Sequence, residues 1–139
     1  MKFEDGNRCF VCGKGNPHGL QLEFWRDGDN YITEFYTDER YQGYSGVTHG
    51  GITATILDEV MAKHLTTQGL GVVTAGMELR YRKPVPTGVM IRFVAQLDEH
   101  RRNIYKMSAR AYLPDGGVAV EATAKFVQIG KIENEQGGA

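Results

Sequence analysis

The sequence predicts an α+β fold in which a curved antiparallel sheet wraps around one central helix. Two observations carry this reading. The segment from about Ile52 to Thr67 places apolar residues at helical spacing over most of its circumference. A hairpin before it, and nearly everything after it, alternates apolar and polar residues with the period of a strand. A helix apolar almost all round has to be covered, and half-buried strands are what the chain has to cover it with.

Each element has its own signal. Residues 1–19 read as an irregular arm ending in Asn16-Pro17-His18-Gly19. Leu20, Leu22 and Phe24 then share one face, Asp27-Gly28-Asp29-Asn30 marks a turn, and Tyr31 to Thr37 returns as a second strand. The helix follows a glycine-spaced loop, Gln42 to Gly51. Within it Ile52, Ile56 and Val60 form one apolar line, with Leu57, Met61 and Leu65 beside it. Val72 to Arg82 alternates through Met77, Leu79 and Tyr81 and stops at Pro84 and Pro86. Val89 to Leu97, Tyr105 to Leu113 and Val118 to Val127 complete the strands, with Pro114-Asp115-Gly116-Gly117 turning between the last two. The folded domain is thus expected over residues 20–130, and residues 131–139 form a polar tail expected to be disordered.

Composition narrows the partners. With 139 residues, 41% hydrophobic and 24% charged, the chain has the size and balance of one globular domain. A net charge of −1 provides no global attraction to nucleic acid or anionic membrane. No apolar run approaches a membrane span and no signal-peptide pattern opens the chain, so a cytoplasmic location is expected.

Cys9 and Cys12 form a lone C-x-x-C. A structural turn is the leading reading. A zinc site would need more ligands, and only His18 stands near in sequence; a redox pair would normally open a helix, whereas Gly13, Gly15, Asn16 and Pro17 follow here. No metal ligand set is assigned on this basis.

The stretch from Thr48 to Glu59 carries the chemistry. Gly50 and Gly51 stand where the loop becomes the helix. The first N–H groups of a helix lack internal partners and lie at the positive end of its dipole. Two glycines there let an anionic oxygen approach, as in an oxyanion hole; a plain tight turn is the competing reading. Asp58 sits mid-helix among Ala54, Thr55, Met61 and Ala62, where aspartate is a poor helix former and no cap requires it. A carboxylate partly withdrawn from water is suited to proton transfer near neutral pH. Glu59, four residues before Lys63, reads instead as a solvated ion-pair partner. His49 would either hold the loop by hydrogen bonding or act on substrate, and its place before the turn favours the first. His64 and His100 have no motif context and read as surface. Arg80, Arg82 and Lys83 are either the solvated face of a strand or contacts for an anionic ligand.

Together these stretches resemble a known family, the PaaI-like thioesterases of the hotdog superfamily. The matching residues are Val47-Thr48-His49-Gly50-Gly51 with Asp58 nine residues after His49, and the strand end Arg80-Tyr81-Arg82-Lys83-Pro84-Val85-Pro86-Thr87-Gly88. The leader Cys9-Phe10-Val11-Cys12-Gly13 with Asn16-Pro17-His18-Gly19-Leu20 resembles that of one branch. The resemblance implies a hotdog fold and hydrolysis of acyl-coenzyme A. It implies that the Gly50 N–H polarises the thioester carbonyl, that Asp58 activates water or attacks directly, and that Thr74 places the water. Gly51, Arg80, Arg82 and Lys83 become candidate substrate contacts. It also implies a homodimer or dimer of dimers, with Asp58 reaching the site from the opposite subunit and no cofactor beyond the CoA of the substrate. The pattern departs at Gly43, where many relatives carry asparagine; either Gln42 or a water is then expected to substitute, or the activity to be weaker or differently directed. A non-catalytic acyl-CoA binding or sensing module is the alternative reading, since fold does not fix function.

Overall fold

The computed structural model describes residues 1–132. Two strands, β1 (Phe24–Asp27) and β2 (Asn30–Tyr36), precede the helix α1 (Gly50–Thr66); β3 (Leu70–Tyr81), β4 (Met90–Arg101), β5 (Ile104–Tyr112) and β6 (Val118–Lys131) follow it. All strands join one antiparallel sheet in the order β1-β2-β4-β5-β6-β3. The twelve-residue β3 therefore lies at an edge, paired with β6 alone among the described strands.

Period-two alternation sends the expected side chains inward. Ile91, Phe93 and Ala95 of β4, Tyr105, Met107, Ala109 and Ala111 of β5, and Val120, Ala122, Ala124 and Phe126 of β6 are buried. They meet Ile56, Leu57, Val60, Met61 and Leu65 of α1, all at most 1% exposed. The small residues of β5 and β6 leave room for the helix to sit close against the middle of the sheet. Bulges at Thr74/Gly76 and Leu97/Glu99 bend the strands, which is how a sheet curls around a cylinder.

Several expectations need correction. The helix begins at Gly50 rather than Ile52, because His49 caps it two residues earlier. Leu20 and Leu22 face inward, but they pair with the arm instead of opening β1: their N–H groups donate to Phe10 and Val11 carbonyls at 2.8 Å each. The arm has neither helix nor strand, yet it is fastened down, with Val11 buried and Phe3 lying against Gly71 and Gly130. It reaches α1 through the Cys9 thiol against Glu59 and through Val11 in the core, and no helix residue from Ile52 to Thr66 is fully exposed. β6 runs on to Lys131, paired with Leu70. The expected disordered tail otherwise lies almost entirely outside the described residues.

His64 is also buried rather than superficial. Its Nδ1 accepts from Arg26 and Gln68 at 3.1 Å each, which assigns the ring proton to Nε2. The Nε2–H has no partner among the described residues. The ring stacks on Tyr31 at 5.7 Å, an apolar setting that the sequence around it does not announce.

Candidate active site

The loop before α1 is held by main-chain bonds to the segment that follows β3. Thr48 N–H donates to Val85 O at 2.7 Å, Thr87 N–H to Gly46 O at 3.0 Å, and His49 N–H to Tyr41 O at 2.8 Å. The Thr48 hydroxyl adds a bond to Pro86 O at 3.3 Å. Gly46 takes a left-handed φ of 78°, which lets the loop reverse. These bonds bring Thr48-His49-Gly50 to the mouth of a cleft of about 640 Å³, walled by Tyr44, Tyr81, Arg82, Lys83 and Val85.

His49 is the helix cap. Its Nδ1 accepts from the Gly51 N–H at 2.9 Å, and its backbone carbonyl accepts from Ile52 and Thr53 at 3.0 and 3.3 Å. Three of the helix's orphan donors are thus satisfied by one residue. The Gly50 N–H alone among them finds no partner among the described residues. Gly51 is the tighter of the two glycines, since a Cβ there would meet His49 Nδ1 at 3.1 Å. Its N–H is committed to the cap, so the candidate anion donor is the Gly50 N–H.

Tyr81 is the residue that sequence reasoning missed. Its hydroxyl donates to the Gly50 carbonyl at 2.7 Å, and its ring stands about where a Cβ on Gly50 would touch it, at 3.4 Å. Burial pushes the phenol above its usual pKa, so it stays a donor throughout the neutral range. Alternation along β3 placed Tyr81 on the inward face, but nothing in sequence spacing shows that this end of β3 overlies the helix start. Tyr81→Phe should leave the fold intact and free the Gly50 peptide to rock. The kcat of a reaction that uses this helix start should fall about tenfold, comparable to losing one neutral hydrogen bond. Unchanged steady-state kinetics would remove Tyr81 from the site.

Asp58 lies half-buried in the next part of the helix and accepts from the Thr74 hydroxyl at 2.8 Å. The two residues joined by this bond are the pair the sequence resemblance singled out. They are not beside Gly50. Eight residues of helix at about 1.5 Å each put Asp58 about 12 Å farther along α1, and it does not line the cleft that holds Gly50. One chain therefore presents two half-constellations: Gly50 with His49 and Tyr81, and Asp58 with Thr74.

The basic residues divide. Arg82 is engaged by Glu121 at 2.8 Å, whose carboxyl its hydrogen bond holds below the usual range; Arg110 approaches the same carboxylate at 3.7 Å. Lys83 stands at the cleft beside Arg82, whereas Arg80 is exposed on the strand away from it. The Gln42 side chain accepts from the Gly46 N–H at 3.2 Å and so holds the loop. Gly43 itself packs against His49, where a Cβ would lie 3.5 Å from the histidine Cα.

The C-x-x-C turn is built as expected, but its neighbours are not. His18 stays on the exposed surface, its N–H donating to Asn16 Oδ1 at 3.0 Å. The thiol of Cys9 instead donates to Glu59 at 3.4 Å. Glu59 is thus covered by the arm, and no ion pair joins it to Lys63 among the described residues, contrary to its reading as a solvated side chain.

A helix clasped by a curved antiparallel sheet is the hotdog architecture. The chain overlies the crystal structure of a thioesterase superfamily protein with a TM-score of 0.82 at 23% identity, covering 88% of this chain and 61% of that one. It overlies the PaaI protein of the E. coli phenylacetic acid degradation operon with a TM-score of 0.74 at 15% identity, covering 81% and 83%. In sequence it is 29% identical over 90 residues to acyl-coenzyme A thioesterase THEM4 of Xenopus laevis, covering 63% of this chain and 40% of that protein. It is 25% identical over 126 residues to the Bos taurus THEM4, covering 88% and 52%. The chain thus spans about half the length of these curated relatives. The family model of the thioesterase superfamily matches residues 45–120, more than half of the chain, and the protein belongs to that family.

Proposed function

We propose that the protein hydrolyses acyl-coenzyme A thioesters to the free acid and CoA, at sites shared by two copies of the chain. The observation that carries this is the unpartnered Gly50 N–H at the positive end of α1, opening into a cleft. The thioester carbonyl oxygen rests there, and negative charge building on it strengthens the bond as the tetrahedral intermediate forms. Asp58 of the second copy takes a proton from water, whose oxygen attacks the carbonyl carbon; Thr74 holds the carboxylate in place. Collapse of the intermediate expels the CoA thiolate, which is protonated on leaving. His49 and Gly51 hold the helix start in shape rather than meeting substrate. Lys83 is the basic side chain best placed for a phosphate of the nucleotide, since Arg82 already serves Glu121.

The separation of Gly50 from Asp58 along one helix supports a site between copies, and the unpaired β3 edge supports sheet-to-sheet pairing as the way they join. The likeness to a Streptococcus pneumoniae thioesterase structure with coenzyme A, at a TM-score of 0.75 and 18% identity, supports the general ligand class.

A mixing experiment tests the shared site. Protomers carrying Asp58→Asn and protomers carrying Gly50→Pro are each expected to be nearly inactive. After subunit exchange about half the dimers are mixed, and each mixed dimer has one site with Gly50 and Asp58 both intact. Thiol release should then recover to about a quarter of wild type. No recovery despite demonstrated exchange would rule out a site built across the copies. Tight acyl-CoA binding by wild-type protein without thiol release would favour the binding-module reading.

A further inference from the structure

The arm brings three metal-binding side chains together beside Glu59 of α1, and the proposed hydrolysis uses none of the four. Ligand atoms of Asp5, Cys9 and Cys12 all lie within 4.8 Å of one another. Glu59, on the helix beneath, accepts from the Cys9 thiol at 3.4 Å. We propose that Cys9, Cys12, Glu59 and Asp5 bind one thiophilic divalent cation of the zinc class, which fastens the arm to the helix.

The local backbone is built to hold two sulfurs together. The Gly13 N–H donates to the Cys9 carbonyl at 2.9 Å, closing the turn, and a Cβ on Gly13 would lie 2.4 Å from the Cys9 nitrogen, so no side chain fits there. The Val11 N–H points at the Cys9 Sγ at 3.4 Å, a donor that favours thiolate charge. Asp5 is held in place by the N–H groups of Asn7 and Cys9, at 2.9 and 3.2 Å, and its carboxylate keeps further lone pairs for a cation.

The half-buried Cys9 and Cys12 thiols lie together, with the Glu59 carboxylate against Cys9. A divalent cation exchanges both S–H protons, which leave to solvent, for two metal–sulfur bonds, and it neutralises Glu59. Two thiolates with both carboxylates would supply four ligands, the number a structural rather than a catalytic site takes.

The test uses the whole chain and does not depend on turnover. Reduced wild-type protein, stripped with chelator and titrated with Zn²⁺, should bind about one ion per chain. With Co²⁺ it should show the intense thiolate-to-cobalt absorption and tetrahedral d–d bands that mark sulfur ligation, a readout that needs no variant. Cys12→Ser should lose the charge-transfer band or reduce it by about half, and Glu59→Gln should weaken Zn²⁺ binding at least about tenfold. A wild-type chain with no stoichiometric Zn²⁺ and no sulfur–cobalt band overturns the site. So does Glu59→Gln that binds Zn²⁺ as tightly as wild type.

Discussion

Asp58→Asn should leave the fold and the acyl-CoA KM nearly unchanged while kcat falls by about 10²–10⁴, the usual contribution of a positioned acid–base group. Asparagine preserves size and can still accept from the Thr74 hydroxyl, so the helix and its packing have no reason to move. What it removes is the negative oxygen that draws a proton from water. The split between kcat and KM matters because Asp58 lies far from the cleft that would hold the acyl-CoA on its own chain. A simple structural role would instead show as lost stability with both constants shifted. Stopped assays with free-thiol detection, alongside thermal unfolding, separate the two. Full turnover on the best acyl-CoA would end the assignment of Asp58.

Gly50→Pro should cost about 10²–10³ in kcat, as expected for the loss of one oxyanion donor. A backbone donor is usually beyond the reach of mutagenesis, but Gly50 occupies the first turn of a helix. Proline is well tolerated there because its missing N–H serves no helical bond. The preceding residue suits it as well: His49 has φ −59° and ψ 129°, within the extended region that proline demands of its neighbour. Gly50→Ala is the control. It keeps the N–H and places a Cβ 3.4 Å from the Tyr81 ring, an ordinary contact, so most activity should survive. Equal losses for proline and alanine would mean that room, rather than the donor, is what Gly50 supplies.

Much of this was legible in the sequence, for reasons that are local. Alternation marks β4, β5 and β6 because each buries one face over most of its length, and an apolar helix followed by such strands leaves few architectures. Gly50 and Asp58 stood out because each breaks a propensity rule: paired glycines at a helix start and an aspartate at its middle. The rest depended on contacts between distant segments. Glu59 looked solvated because its partner Cys9 lies fifty residues earlier, on an arm with no periodic signal. His64 looked exposed because its cover comes from Arg26 and Tyr31 on the first hairpin. Tyr81 read as a packing residue because side-chain alternation gives a face, not the element that face will meet. The edge strand β3 blurs for a similar reason: Thr74, Ala75 and Gly76 are exposed, so its middle lacks a clean apolar stripe.

The strapping of residues 42–49 to residues 84–87 has a consequence for diversification. Most of its ties are amide-to-carbonyl, so they persist whatever side chains those positions carry. Tyr44 can therefore be exchanged to reshape the cleft wall without displacing the Gly50 N–H on which the proposed thioester carbonyl would rest. Under the proposed mechanism, selectivity and catalysis are in this way separately adjustable along one short ribbon of polypeptide.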